Sequence, residues 1–119
     1  MSILIEHIKR FDSKLLKKLF KQVHGKNAPN HKFFDDKKSI LLVAFHGKKA
    51  AGFLWAFLLY HPDRAQPAMF LYSIDVFEPF RQKGIATQLI SHLKKIARKR
   101  HCFEIFVFTD EANIPAMKL

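Results

Sequence analysis

Tyr72-Ser73-Ile74-Asp75-Val76-Phe77-Glu78-Pro79-Phe80-Arg81-Gln82-Lys83-Gly84-Ile85-Ala86-Thr87 carries the pattern that decides the fold. An apolar, extended run stops at Pro79, passes a short basic turn and enters a helix at Gly84. A helix that starts this way turns free backbone N–H groups and its positive end toward one point. Such a point suits a phosphate-bearing ligand.

Working outward, the residues after Gly84 place Ile85, Leu89, Ile90, Leu93, Ile96 and Ala97 on one helical face. This predicts a helix over 85–98 that packs on a sheet. Its last turn collects Lys94, Lys95, Arg98, Lys99 and Arg100, cations that complement the helix dipole. The same run could form a nucleic-acid patch, but no aromatic residues interleave it, so a solvated helix end is the favoured reading. A strand is expected over 103–109, and a further helix from Ala112.

Upstream, residues 2–8 alternate as a first strand. Asp12 or Ser13 can cap a helix with Leu15, Leu16, Leu19, Phe20 and Val23 on its apolar face. Residues 25–36 read as a loop with a short helical turn. Strands over 39–45 and 50–60 join at His46-Gly47-Lys48-Lys49 as a hairpin, and a strand over 68–77 follows the loop at 61–67. The strand–helix–strand unit over 68–109 calls for a right-handed parallel crossover, and the hairpin strands before it for antiparallel pairing. The expected fold class is therefore α/β: one domain over 1–119, with a mixed sheet and helices on both faces.

Composition narrows the function. The chain has 119 residues, 49% hydrophobic and 13 of them Phe, enough for one core. Its formal net charge of +11 favours anionic partners such as nucleic acid, an anionic membrane or a phosphorylated ligand. The lone Cys102 rules out an internal disulfide and reads as a buried, inert thiol. No apolar run has the length of a membrane span and the N-terminus lacks the order of a secretory signal, so the expected location is cytoplasmic. The seven histidines show no i, i+4 pair and no cysteine cluster, so no metal site is expected. His61, in the loop before the motif strand, is a minor candidate for touching a substrate. Phe53-Leu54-Trp55-Ala56-Phe57 reads as packing.

The turn has the spacing R-x-x-G-x-A in Arg81, Gly84 and Ala86. Gly84 lets backbone approach a ligand, and Ala86 keeps the first turn thin. Neither the lysine–hydroxyl pair of a P-loop nor a G-x-G-x-x-G is present, which argues against an NTPase or a dehydrogenase. Together with Ile74-Asp75-Val76 and Pro79, and with Asn113, Ala116 and Leu119 downstream, this region resembles the cofactor-binding half of GNAT N-acetyltransferases. Within that superfamily, Phe70-Leu71-Tyr72 and the turn are most similar to aminoglycoside 3-N-acetyltransferases. Residues 1–60 fit by order of elements only.

The resemblance implies acetyl-CoA as co-substrate and a small primary amine, an aminoglycoside among the candidates, as acceptor. Arg81, Gln82, Lys83, Gly84, Ile85, Ala86 and Thr87 would hold the pyrophosphate, Ile74 and Val76 would pair with the pantetheine arm, and Asn113 would complete the site. A neutral amine must attack the thioester, so a base is needed near the strand end. Asp75 is the first candidate and Glu78 the second; a carboxylate paired with a nearby lysine explains Asp75 equally well.

Family members usually continue into a tyrosine and two more strands. The resemblance therefore implies a C-terminally shortened domain, with a homodimer as one way to complete the sheet. The alternative reading is a weak or inactive remnant that keeps the CoA site or binds nucleic acid through its basic surface. A +11 chain also repels polycationic aminoglycosides on average.

Overall fold

Residues 2–20, 29–107 and 116–118 are described by the computed structural model. The elements run β1 (Leu4–His7), α1 (Ser13–Leu19), α2 (Lys32–Asp35), β2 (Ser39–His46), β3 (Lys49–Leu59), β4 (Ala68–Val76), α3 (Ile85–Lys99), β5 (Glu104–Val107) and β6 (Ala116–Lys118). A 3₁₀ turn, Glu78–Phe80, links β4 to the basic turn. All six strands form one sheet in chain order. The β1–β4 neighbours and the β5–β6 pair are antiparallel, and β4 with β5 is parallel. This is the mixed sheet that the sequence calls for.

The sheet is covered on both faces because β2 is apolar at every position from Ile40 to Ala44. Ile40, Leu42 and Ala44 meet Ile85, Leu89, Leu93 and Ala97 of α3 in the larger core. Leu41 and Val43 point the other way, onto Leu16 and Leu19 of α1, with Phe53 of β3. Asp12 caps α1 by accepting the Leu15 N–H at 3.1 Å, as its residue type favours. The hairpin turn between β2 and β3 is Gly47-Lys48, with Gly47 at φ +61, the sign a Gly-first hairpin turn demands.

Three local features depart from the expected reading. Residues 116–118 were expected inside a helix; they are extended and pair with β5, Glu104 opposite Lys118. The outer edge of β5 offers unpaired backbone groups, and three ladder positions satisfy them in a way that a short helical turn cannot. Second, α3 ends one residue later than expected, in a left-handed His101 at φ +61. There the Cys102 N–H donates to Ala97 O and the His101 N–H to Arg98 O, a closing pattern that usually employs glycine. This cap seats Cys102 in the core, where burial raises its thiol pKa, in line with an inert thiol. Third, β4 carries a bulge at Tyr72, since Ser73 faces Trp55 while Leu71 faces Ala56. Among the described residues no helix is long and apolar enough to cross a membrane.

Two consequences are measurable. A Cβ on Gly52 would lie 2.7 Å from the Asp75 carbonyl oxygen and 3.2 Å from Val76 Cα, both backbone atoms. Gly52→Val should therefore cost about 1–3 kcal/mol of unfolding free energy, read from the fall in urea midpoint, by prising β3 from β4. His7 is held below its ordinary 6.5 by burial first, then by Lys9, His92 and Arg100. The unfolded chain then binds that proton more readily, so stability should fall as pH drops below about 6.5 and level off once the lower folded value is passed. Urea midpoints between about pH 8 and pH 5 should decline less in His7→Asn than in the parent.

Candidate active site

The end of β4 and the start of α3 enclose a cleft of about 460 Å³ lined by ten residues. Ile74, Asp75, Val76, Arg81, Gln82, Gly84, Ile85, Ala86 and Thr87, all expected at the site, line it, and Phe80 is the tenth. Lys83 stands exposed on the same turn without lining the cleft, and Glu78 is exposed in the 3₁₀ turn. Asn113 lies outside the described residues.

The floor of the cleft is backbone. The Phe77 N–H donates to Ala51 O at 2.9 Å, so that residue's amide points into β3. Strand alternation then turns the amides and carbonyls of Ile74 and Val76 away from β3, toward the open side. The Val76 carbonyl confirms this direction by accepting Arg81 Nε at 2.8 Å. Recorded pairing with β5 covers Met69, Phe70 and Leu71. The side chains of Ile74 and Val76 pack into the core beneath α3.

The rim is the turn into α3. Gly84 occupies the N-cap position at φ +78, and no side chain caps the helix. The first N–H taken up by an intrahelical partner is that of Gln88, donated to Gly84 O. Those of Ile85, Ala86 and Thr87 fall in the helical turn that has no such acceptor. Gln82 is also left-handed, at φ +62, an uncommon conformation for a residue with a Cβ. With Gly84 it wraps the turn tightly around Lys83. Ala86, Thr87, Arg81 and Gln82 are exposed there. Open, uncapped amides beside two cationic side chains fit a diphosphate group, as the sequence pattern implies.

Asp75 sits opposite Phe53 in the β3–β4 register, on the sheet face away from α3. Its Oδ1 is 3.7 Å from Arg81 Nη2, and both side chains are about half exposed. Among the described residues the ion-pair partner of Asp75 is therefore the motif arginine and no lysine. That arginine grips the strand end twice, through Val76 O and through Asp75. His61 lies at the far end of β4, beside Asp63 and the Phe103 ring, away from the cleft.

Beside Asp75 the same face is aromatic. Phe53 and Trp55 stack at 5.6 Å with planes 14° apart, and Trp55 stacks on Tyr72 at 5.4 Å and 18°. Alternation from Met69 and Leu71 already puts Tyr72 on this face; the bulge brings Ser73 and Asp75 to join it. The cue that could have located the bulge is the three-residue step between the apolar Leu71 and Ile74.

A parallel crossover from an open strand edge into an uncapped, glycine-started helix defines an α/β domain with an anion-accepting cleft at its strand end. Residues 4–119 match the Acetyltransferase (GNAT) family, and the chain belongs to it. No curated protein matches its sequence. Among solved structures, an aminoglycoside acetyltransferase, HMB0005, from an uncultured soil metagenomic sample is similar at TM-score 0.82 and 24% identity. That match covers 94% of this chain and 82% of the other. The ribosomal-protein-alanine N-acetyltransferase of Brucella melitensis biovar Abortus 2308 is similar at TM-score 0.80 and 20% identity, covering 94% and 83%. Aminoglycoside N-acetyltransferase AAC(6')-Iy, solved in complex with CoA, is similar at TM-score 0.74 and 25% identity, covering 94% and 80%. The two less similar sequences speak for the fold alone.

Gly84→Val tests the turn. No heavy atom lies within 4 Å of the added Cβ, so the penalty is conformational, about 1–2 kcal/mol for a left-handed residue with a side chain. A urea midpoint shift of that size is expected, together with weaker binding of CoA in calorimetry.

Proposed function

We propose that the protein transfers an acetyl group from acetyl-CoA to a primary amine of a small molecule. Acetyl-CoA supplies the thioester: the C–S bond breaks as C–N forms, CoA leaves as its thiol, and the amine nitrogen gives up a proton. The observation that carries the reading is the uncapped first turn of α3 beside the outward-facing backbone of Ile74 and Val76. One half of the cleft offers amides to a diphosphate, and the other offers a strand edge to an amide-bearing arm.

Arg81 closes the strand end by donating to Val76 O, which fixes the width of the cleft where the arm would enter. Its guanidinium has further donors to offer, as Lys83 does on the exposed turn. Asp75, on the opposite face at the same strand end, is the first candidate to take the proton of an incoming ammonium. Glu78 is the second candidate, one turn further on. Similar solved structures include aminoglycoside acetyltransferases, which keeps aminoglycosides on the panel of acceptors to be tried.

Calorimetry with acetyl-CoA, followed by thiol-release assays over a panel of amines, tests this function. Binding near micromolar affinity and turnover of at least one amine are expected; absence of acetyl-CoA binding would sink the proposal. For the base, Asp75→Asn should lower kcat by about 100-fold at neutral pH and flatten the rise of rate with pH, with acetyl-CoA affinity retained. An unchanged profile would leave Asp75 as the structural partner of Arg81.

A further inference from the structure

The aromatic group beside Asp75 has a geometry that simple core filling does not require. Tyr72 is 58% exposed, yet its ring is fixed by three others: Trp55 at 5.4 Å, Phe57 at 5.9 Å and Phe70 at 5.8 Å. Ring contacts on three sides restrict the rotamers open to this exposed tyrosine. A ligand that stacks here therefore meets a preset surface and pays little ordering cost. The bulge at Tyr72 sets Ser73 and Asp75 on the same face as its ring, opposite Trp55 and Phe53. The shelf and the candidate base are thus adjacent along one strand.

Charge argues about what lies on that shelf. A polycation needs several free carboxylates, and the carboxylate that β4 brings to this face, Asp75, has Arg81 3.7 Å away. Of the nearby α2 acids, Asp35 stands 3.7 Å from His31 and Asp36 accepts the Lys38 N–H. The formal net charge of +11 adds a general repulsion. A single amine on a flat apolar body escapes this penalty and gains the ring contacts.

We infer that the acceptor is a monoamine carried on a planar aromatic ring, which stacks on the Tyr72–Trp55 shelf and presents its nitrogen toward Asp75. The inference rests on the acetyl-transfer reading for its chemistry. Its binding half has a separate signal, because Trp55 is the only tryptophan in the chain.

The experiment titrates the full chain, with and without acetyl-CoA, with 2-phenylethylamine, its saturated analogue 2-cyclohexylethylamine, and the aminoglycoside sisomicin. Trp55 emission and thiol release are both followed. Expected is an emission change with 2-phenylethylamine, at an apparent Kd about tenfold below that of the saturated amine, and no comparable change with sisomicin. Tyr72→Ala should raise the Kd and KM for the aromatic amine about tenfold while leaving KM for acetyl-CoA unaltered; Tyr72→Phe should retain both.

Equal binding of the saturated amine, tighter binding of sisomicin, or an indifferent Tyr72→Ala would overturn the inference. If Tyr72→Ala fails to fold, the three ligands on the parent chain and on Tyr72→Phe still decide. Emission changes without thiol release would support the shelf and refute acetyl transfer. Thiol release with sisomicin and with neither ring-bearing amine would do the reverse.

Discussion

The bulge at Tyr72 is the constraint on which the site depends. Without it, strict alternation from Met69 and Leu71 would send Ser73 and Asp75 into the core under α3 and leave Ile74 and Val76 on the other face. Burying an aspartate against Ile85 and Leu89 would be prohibitive. One extra residue reverses the parity halfway along the strand. The apolar pair then completes the core, the carboxylate reaches the aromatic face, and both stay in register with β3. A single insertion thus divides β4 into a structural half and a functional half.

That division relies on how closely β3 and β4 approach beyond the bulge. Gly52 lies where any Cβ would meet the Asp75 carbonyl, so glycine is what allows the ladder to continue to Val76. The Phe77 N–H to Ala51 O bond then carries the pairing one step past the strand. Arg81 ties the next turn back to Val76 O, so the 3₁₀ segment and the α3 start are referenced to the same strand end. The position of the helix amides is set by this chain of short contacts, with each member within five residues of the last in sequence or in register.

Much of this was legible from residue order. The helix after Gly84 and the hairpin at Gly47-Lys48 follow from periodicity and turn chemistry, Arg81, Gly84 and Ala86 from one spacing pattern, and the other expected cleft residues from the family resemblance. What escaped depends on pairing between distant segments. The bulge exists only relative to Trp55 and Ala56; the closing of α3 by His101 uses a residue type that seldom adopts that conformation; and residues 116–118 are extended because β5 has an edge to fill. Local sequence speaks weakly about all three. The partner of Asp75 was open for a similar reason: many lysines surround it in sequence, and the strand end selects Arg81.

The same arrangement separates a backbone surface from a side-chain surface. On the α3 side the cleft offers backbone, whose capacity to accept an anion depends little on side-chain identity. On the other side the surface is made of side chains, with Tyr72 exposed, Trp55 partly so, Phe53 buried against Phe20, and Asp75 at the margin. Substitutions among those side chains leave the backbone of the α3-side cleft in place, because it belongs to the sheet itself. A strand shared by two faces, switched in parity by one residue, is enough to let the two surfaces vary independently.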